Sequence, residues 1–166
     1  YGWMDKFFGD RKDDYLKMHF EDAAIFVPYG CMVDEFQHIV YANPDMTPQD
    51  RKDAWAKLEK EYRPHLDYED DPFFANGGYW QRQSHIFQSP FYYIDYVLAS
   101  ICAMQYKVQM DENFDAAWNN YLKLCKLSAK DFYVNVIREA GLNSPFEDGC
   151  MEELVGKLEK KVKFDD

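Results

Sequence analysis

Residues 82–99, RQSHIFQSPFYYIDYVLA, bring one imidazole and three phenols close together. On a helix, residues three or four apart share a face. Tyr92 and Tyr96 are four apart and Tyr93 and Tyr96 three apart, so three hydroxyls can crowd one face near a helix N-terminus. His85 lies just upstream, across the Ser89-Pro90 break, and can fold back toward that face. Neutral O–H donors beside an imidazole suit the stabilisation of a developing oxyanion. The alternative is an aromatic packing stripe with satisfied hydroxyls.

Other chemistries find less support. No two of His19, His38, His65 and His85 are spaced HxxxH, so the chain carries no helical two-histidine zinc site. Glu35 and His38 form an ExxH pair, one turn apart on a predicted helix. Di-iron bundles use that spacing but need two such pairs and two further helix carboxylates. With one pair present, an internal hydrogen-bonded pair or a surface pair is the simpler reading. Ser84 adjoins His85, but no GxSxG elbow accompanies it. Gly77-Gly78 is either a turn or a loop whose backbone approaches an extended ligand.

The elements that must position these residues read as helices nearly throughout, because Pro and Gly fall at segment ends and strand-like alternation is scarce. Helices are expected over 3–8, from 12 toward 26, and from Pro28 to about Val40. Thr47 as N-cap and Pro48 at the first helical position open a helix that stops near Pro64. Residues 65–79 read as a long surface loop. Ser89-Pro90 repeats the cap-proline signal and opens a helix from 90 to about 110. Segments 115–127, 130–140 and 150–162 follow, with Gly141 as C-cap of the second and a helix start or tight turn at Ser144-Pro145. The run from Lys157 to Lys163 reads as a solvated helix face. One helical domain over 1–166 is expected.

Composition bounds the function. A chain of 166 residues with 47% apolar and 18% aromatic side chains can build a core. A net charge of -11 argues against nucleic-acid or anionic-membrane partners, both of which need basic patches. Cys31, Cys102, Cys125 and Cys150 form no CxxC, and reduced thiols point to the cytoplasm. The least charged stretch, 96–106, is too short to span a bilayer.

Four strings carry a specific resemblance: VPYGCMVDEFQHIVY at 27–41, HLDYEDDPFFANGGYWQRQSH at 65–85, SPFYYIDY at 89–96 and SPFEDGC at 144–150. Together they resemble the C-terminal region of oligoendopeptidase F enzymes, relatives of thimet oligopeptidase. The resemblance implies an all-α fold, the helical C-terminal part of a zincin-type metallopeptidase, lining one side of a substrate channel. It implies zinc in the full-length enzyme, with an HExxH helix and a following glutamate that this chain does not contain. The isolated segment is then expected to be inactive, to bind no zinc and to self-associate. Its expected partners are short peptide substrates and the zinc-bearing N-terminal region of the same protein. His85 matches the family's motif histidine. Tyr92, Tyr93 and Tyr96 all match its substrate-side tyrosines, with Tyr92 and Tyr96 favoured because they share a face. Gly77, Gly78 and Arg82 are the substrate-binding candidates, and the VDEFQH string is read as structural. A stand-alone helical peptide-binding module without catalysis is the alternative, and a metal bundle around Glu35 and His38 a third reading.

Overall fold

The computed structural model describes residues 3–160, and among them every regular element is helical. They gather into two compact units divided between Val97 and Leu98. No helix among the described residues is long and apolar enough to cross a membrane.

The first unit begins with α1 (Met4–Phe8) and a 3-10 turn, then α2 (Lys12–Ala42), a single helix of 31 residues. The predicted break before Pro28 does not occur. Proline inside a helix forfeits one hydrogen bond and crowds the preceding turn, at a cost of about 3 kcal/mol. The turns that follow bury Met32, Val33 and Phe36 completely. Such side chains are each worth about 1.5–3 kcal/mol when fully buried, so packing outweighs the proline.

Helix α3 (Pro48–Tyr62) starts where its signals place it. The Thr47 hydroxyl accepts from the Asp50 N–H at 3.2 Å, and Asp50 Oδ2 accepts from the Thr47 N–H at 2.8 Å. This reciprocal pair satisfies two donors at the helix start. Trp55 and Leu58 of α3 then pack against Met32, Val33 and Phe36 of α2, with the Phe36 and Trp55 rings edge to face at 5.1 Å.

The predicted loop over 65–79 is shorter than expected. Asp71 accepts from the N–H groups of Phe73 and Phe74 and caps α4 (Pro72–Ala75). A 3-10 segment, Gly78–Arg82, carries Trp80 into the core of this unit. Gly77 has φ +74, and a Cβ there would lie 2.0 Å from the Lys52 carbonyl oxygen of α3. Only a residue without a side chain fits that approach.

Next come the one-turn α5 (His85–Gln88) and α6 (Ile94–Glu112). Helix α6 starts four residues later than Pro90 predicts. Phe91 has φ +62, which no right-handed helix accommodates, so Tyr92 and Tyr93 belong to the turn before the helix.

The second unit holds the rest of α6 with α7 (Phe114–Leu127), α8 (Tyr133–Glu139) and α9 (Cys150–Glu159). Cys102, Tyr106, Ile137 and Leu142 form its buried cluster. Asn113 caps α7 by accepting from the Ala116 N–H at 3.1 Å. Helix α8 is shorter than the predicted 130–140 span and ends in a left-handed Gly141. There Leu142 N–H reaches the Ile137 carbonyl at 2.9 Å and Gly141 N–H the Arg138 carbonyl at 3.0 Å. Gln105 clamps the chain beyond, donating to the Asn143 carbonyl and accepting from its N–H, both at 2.9 Å. Ser144-Pro145 is a turn with Ser144 buried. The predicted final helix beyond 160, with the lysine run from 161, lies outside the described residues.

Candidate functional site

The long reach of α2 and the turn before α6 decide where the imidazole and the phenols go. His85 opens α5, and the chain then doubles back through Ser89-Pro90. The His85 ring centroid lies 5.1 Å from Tyr93 and 5.5 Å from Tyr96, both edge to face. Tyr96 stands 5.4 Å from Tyr92 and 5.5 Å from Tyr93. The four rings are therefore one cluster, with the Tyr96 hydroxyl 3.4 Å from His85 Nε2. Tyr92 and Tyr96 remain well exposed.

The hydroxyls differ in environment. Burial, and then the neighbouring Tyr79 and Tyr96, push the Tyr93 phenol above its ordinary value, so it keeps its proton at neutral pH. Behind the cluster, Tyr29 of α2 is pushed up further, chiefly by burial. Its hydroxyl donates to Gln83 Oε1 at 2.9 Å, and Gln83 Nε2 lies 2.9 Å from His85 Nδ1. The Arg63 guanidinium sits 4.9 Å over the Tyr29 ring and pairs with Glu59 at 3.6 Å.

The VDEFQHIVY string explains the rest of the geometry. Gln37 accepts from the Phe91 N–H at 2.8 Å, and the Tyr41 hydroxyl donates to the Ile86 carbonyl at 2.8 Å. The His38 and Tyr41 rings flank Phe91 at 4.9 and 5.3 Å. One face of α2 thus holds the link between His85 and the tyrosines at both of its ends, Ile86 and Phe91.

The remaining candidates have partners of their own. Gly77 and Gly78 are buried, Gly77 against the α3 backbone and Gly78 against Phe73, so the chain's own packing accounts for both glycines. Arg82 is exposed, its guanidinium 5.0 Å over the Tyr79 ring. Glu35 and His38 turn to different partners: Glu35 accepts from the Tyr62 hydroxyl at 2.5 Å, and His38 Nε2 lies 3.3 Å from Asp34. Among the described residues no group of three or more His, Cys, Asp or Glu could hold a metal ion. Sequence reasoning assigns no role to Tyr29 or Gln83 and places Gln37 in the VDEFQH string read as structural. Gln83 lies two residues before His85, and that closeness was the one available signal; the other two act across 54 residues.

No protein-family model matches the chain, and no curated protein does. Solved structures do. An X-ray structure described as an oligoendopeptidase F superposes with a TM-score of 0.94 and 46% identity, over 99% of this chain and 29% of that one. A PZ peptidase A, solved with an inhibitor, gives 0.92 and 48% over 96% of this chain and 28% of its own. This chain belongs to the oligoendopeptidase F family. An oligoendopeptidase F from Bacillus anthracis str. Ames agrees at 0.78 and 37%, over 96% of this chain and 25% of its own. The segment thus spans less than a third of the oligoendopeptidases it matches, and its helices are the family's fold over that span.

Proposed function

We propose that this segment forms the substrate side of a metal-dependent oligoendopeptidase that hydrolyses short peptides, with His85 and Tyr96 as donors to the oxyanion and Tyr92 beside them. The convergence of His85 Nε2 and the Tyr96 hydroxyl at 3.4 Å, at a partly exposed face, carries the reading. When a water oxygen adds to a peptide carbonyl, the C=O π pair moves onto the carbonyl oxygen. An N–H and an O–H already aimed at that oxygen stabilise the new charge without reorganising. The adding water gives a proton to a base elsewhere in the enzyme, and as the tetrahedral species collapses and the C–N bond breaks, that proton passes to the leaving amine.

Zinc is the metal that the family resemblance implies. The described residues offer no donor set for it, so this reading places its ligands elsewhere in the enzyme and routes no step here through the metal. The segment alone is then inactive. Free thiols at Cys31, Cys102, Cys125 and Cys150 support a cytoplasmic setting.

The test is steady-state kinetics of the complete peptidase with His85→Ala and Tyr96→Phe. Removing one oxyanion donor typically lowers kcat about a hundredfold to a thousandfold. Metal content and Tm should stay unchanged. Full turnover in His85→Ala and in all three Tyr→Phe variants at 92, 93 and 96 would return the cluster to packing, and the segment to a peptide-binding module.

A further inference from the structure

The path from Tyr29 to Tyr96 runs through one carboxamide. Gln83 places Oε1 2.9 Å from the Tyr29 hydroxyl and Nε2 2.9 Å from His85 Nδ1. A carboxamide can be turned end for end, and the two orientations demand opposite tautomers of His85. With the oxygen toward His85, Nδ1 would carry the proton and Nε2 would offer a lone pair to Tyr96. The Gln83 NH2 would then face Tyr29, whose own proton would need another acceptor. Around the Tyr29 ring stand Trp55, Tyr79, Tyr93 and the Arg63 guanidinium. A guanidinium and an indole N–H supply donors only, and the Tyr79 and Tyr93 phenols, which could accept, meet Tyr29 edge to face while its hydroxyl bonds to Gln83 instead. The carboxamide oxygen is the acceptor the structure gives this hydroxyl, which orients Gln83 with its NH2 toward the imidazole.

We propose that Gln83, oriented by Tyr29, is a positioning residue that holds His85 as the Nε2–H tautomer, so that the neutral ring presents a donor on the side of Tyr96. The inference rests on the oxyanion reading above. The donors then run in one direction: Tyr29 O–H to Gln83, Gln83 N–H to Nδ1, and Nε2–H toward Tyr96 or the substrate oxygen. Bonds aligned in this way polarise one another. With Nε2 protonated, Tyr96 does not spend its own proton on the imidazole, so Nε2–H and the Tyr96 O–H can both turn to the substrate oxygen when it enters. The titratable groups facing His85 are Tyr93 and Tyr96, with Tyr29 behind Gln83 and Arg82 over the Tyr79 ring.

Gln83→Glu in the complete peptidase separates the orientations. A carboxylate at Nδ1 accepts only, so it draws the proton onto Nδ1 and leaves a lone pair at Nε2. On the alkaline side of the profile, kcat should fall toward the level of His85→Ala, by up to about a hundredfold. On the acid side the doubly protonated ring regains Nε2–H, and turnover should return toward that of the parent. KM and Tm should change little. Superimposable kcat profiles for parent and Gln83→Glu would overturn the assignment, because the carboxylate would merely replace an oxygen already there. If the variant fails to fold, 15N chemical shifts of selectively labelled histidine in the unaltered enzyme decide the matter. A protonated Nε2 in neutral His85 supports the proposal, and a protonated Nδ1 ends it. If His85→Ala retains full turnover, the oxyanion reading fails, while the 15N result still judges the tautomer.

Discussion

The backbone N–H of Phe91 donates to Oε1 of Gln37 at 2.8 Å, across 54 residues of sequence. Gln37 is fully buried, and its NH2 donates to the Val33 carbonyl at 3.2 Å within α2. Phe91 needs such an anchor, because a bulky residue in the left-handed region costs about 1–3 kcal/mol. The turn so held delivers Tyr92 and Tyr93 ahead of α6 and brings Tyr96 against His85.

Gln37→Leu keeps the bulk and removes the acceptor. It leaves the partly buried Phe91 N–H without this acceptor, which should cost about 0.5–1.5 kcal/mol in chemical denaturation. In the complete peptidase, kcat should fall as well, since the turn that presents the tyrosines loosens. Unchanged stability with unchanged turnover would show that Phe91 holds its conformation without Gln37.

Gly77→Ala tests the packing account of the Gly77-Gly78 pair. A methyl group at φ +74 meets the Lys52 carbonyl at 2.0 Å, so α3 or the turn must move. Strain at such a position alone amounts to about 1–3 kcal/mol. The expected result is a lower Tm with little change in KM per folded molecule. A raised KM at unchanged Tm would instead restore the reading in which this backbone meets the ligand.

The cap of α3 should leave a mark on the acid side of the stability profile. The Thr47 hydroxyl first, and then its backbone N–H, hold the Asp50 carboxyl below its ordinary 3.8. A carboxyl with a lowered value in the folded state stabilises the fold at pH above its unfolded value, and that contribution is lost as pH falls through the folded value. Thr47→Ala removes the hydroxyl partner. The stability gap between parent and variant should be constant above about pH 4 and shrink below it. A gap that persists unchanged through the acid limb would detach the cap from this titration.

The isolated 166-residue chain should cleave no peptide and bind no stoichiometric zinc, for want of a donor set among its described residues. It should also bind a hydrophobic dye and self-associate. Phe7 and Phe132 are 76% and 84% exposed, and Phe114, Trp118 and Tyr121 form an exposed stacked row along α7. Chelator-sensitive cleavage of a peptide by the purified chain, or a strictly monomeric species blind to the dye, would contradict the corresponding half of this expectation.

Local signals were enough for much of the chain. Thr47-Pro48 started α3, Gly141 ended α8, and Pro and Gly at segment ends with little strand-like alternation marked the helical class, because each depends on backbone geometry within a turn or two. The family strings of 27–41, 65–85, 89–96 and 144–150 likewise lie in the linear order of residues. The spacing of Tyr92, Tyr93 and Tyr96 foretold their proximity, though for a different reason than a shared helix face, since two of them precede α6.

Long-range contacts decided what local rules left open or misjudged. Pro28 should end a helix by its own geometry, yet burial of Met32, Val33 and Phe36 carries α2 through it. Pro90 should start one, yet the bond from Phe91 to Gln37 delays α6 to Ile94. The roles of Tyr29, Gln37 and Gln83 likewise depend on where α2 passes the His85 segment. A residue type states which hydrogen bonds a side chain can make; only the packing of α2 against that segment chooses which ones it does make, because donor and acceptor must come within about 3 Å.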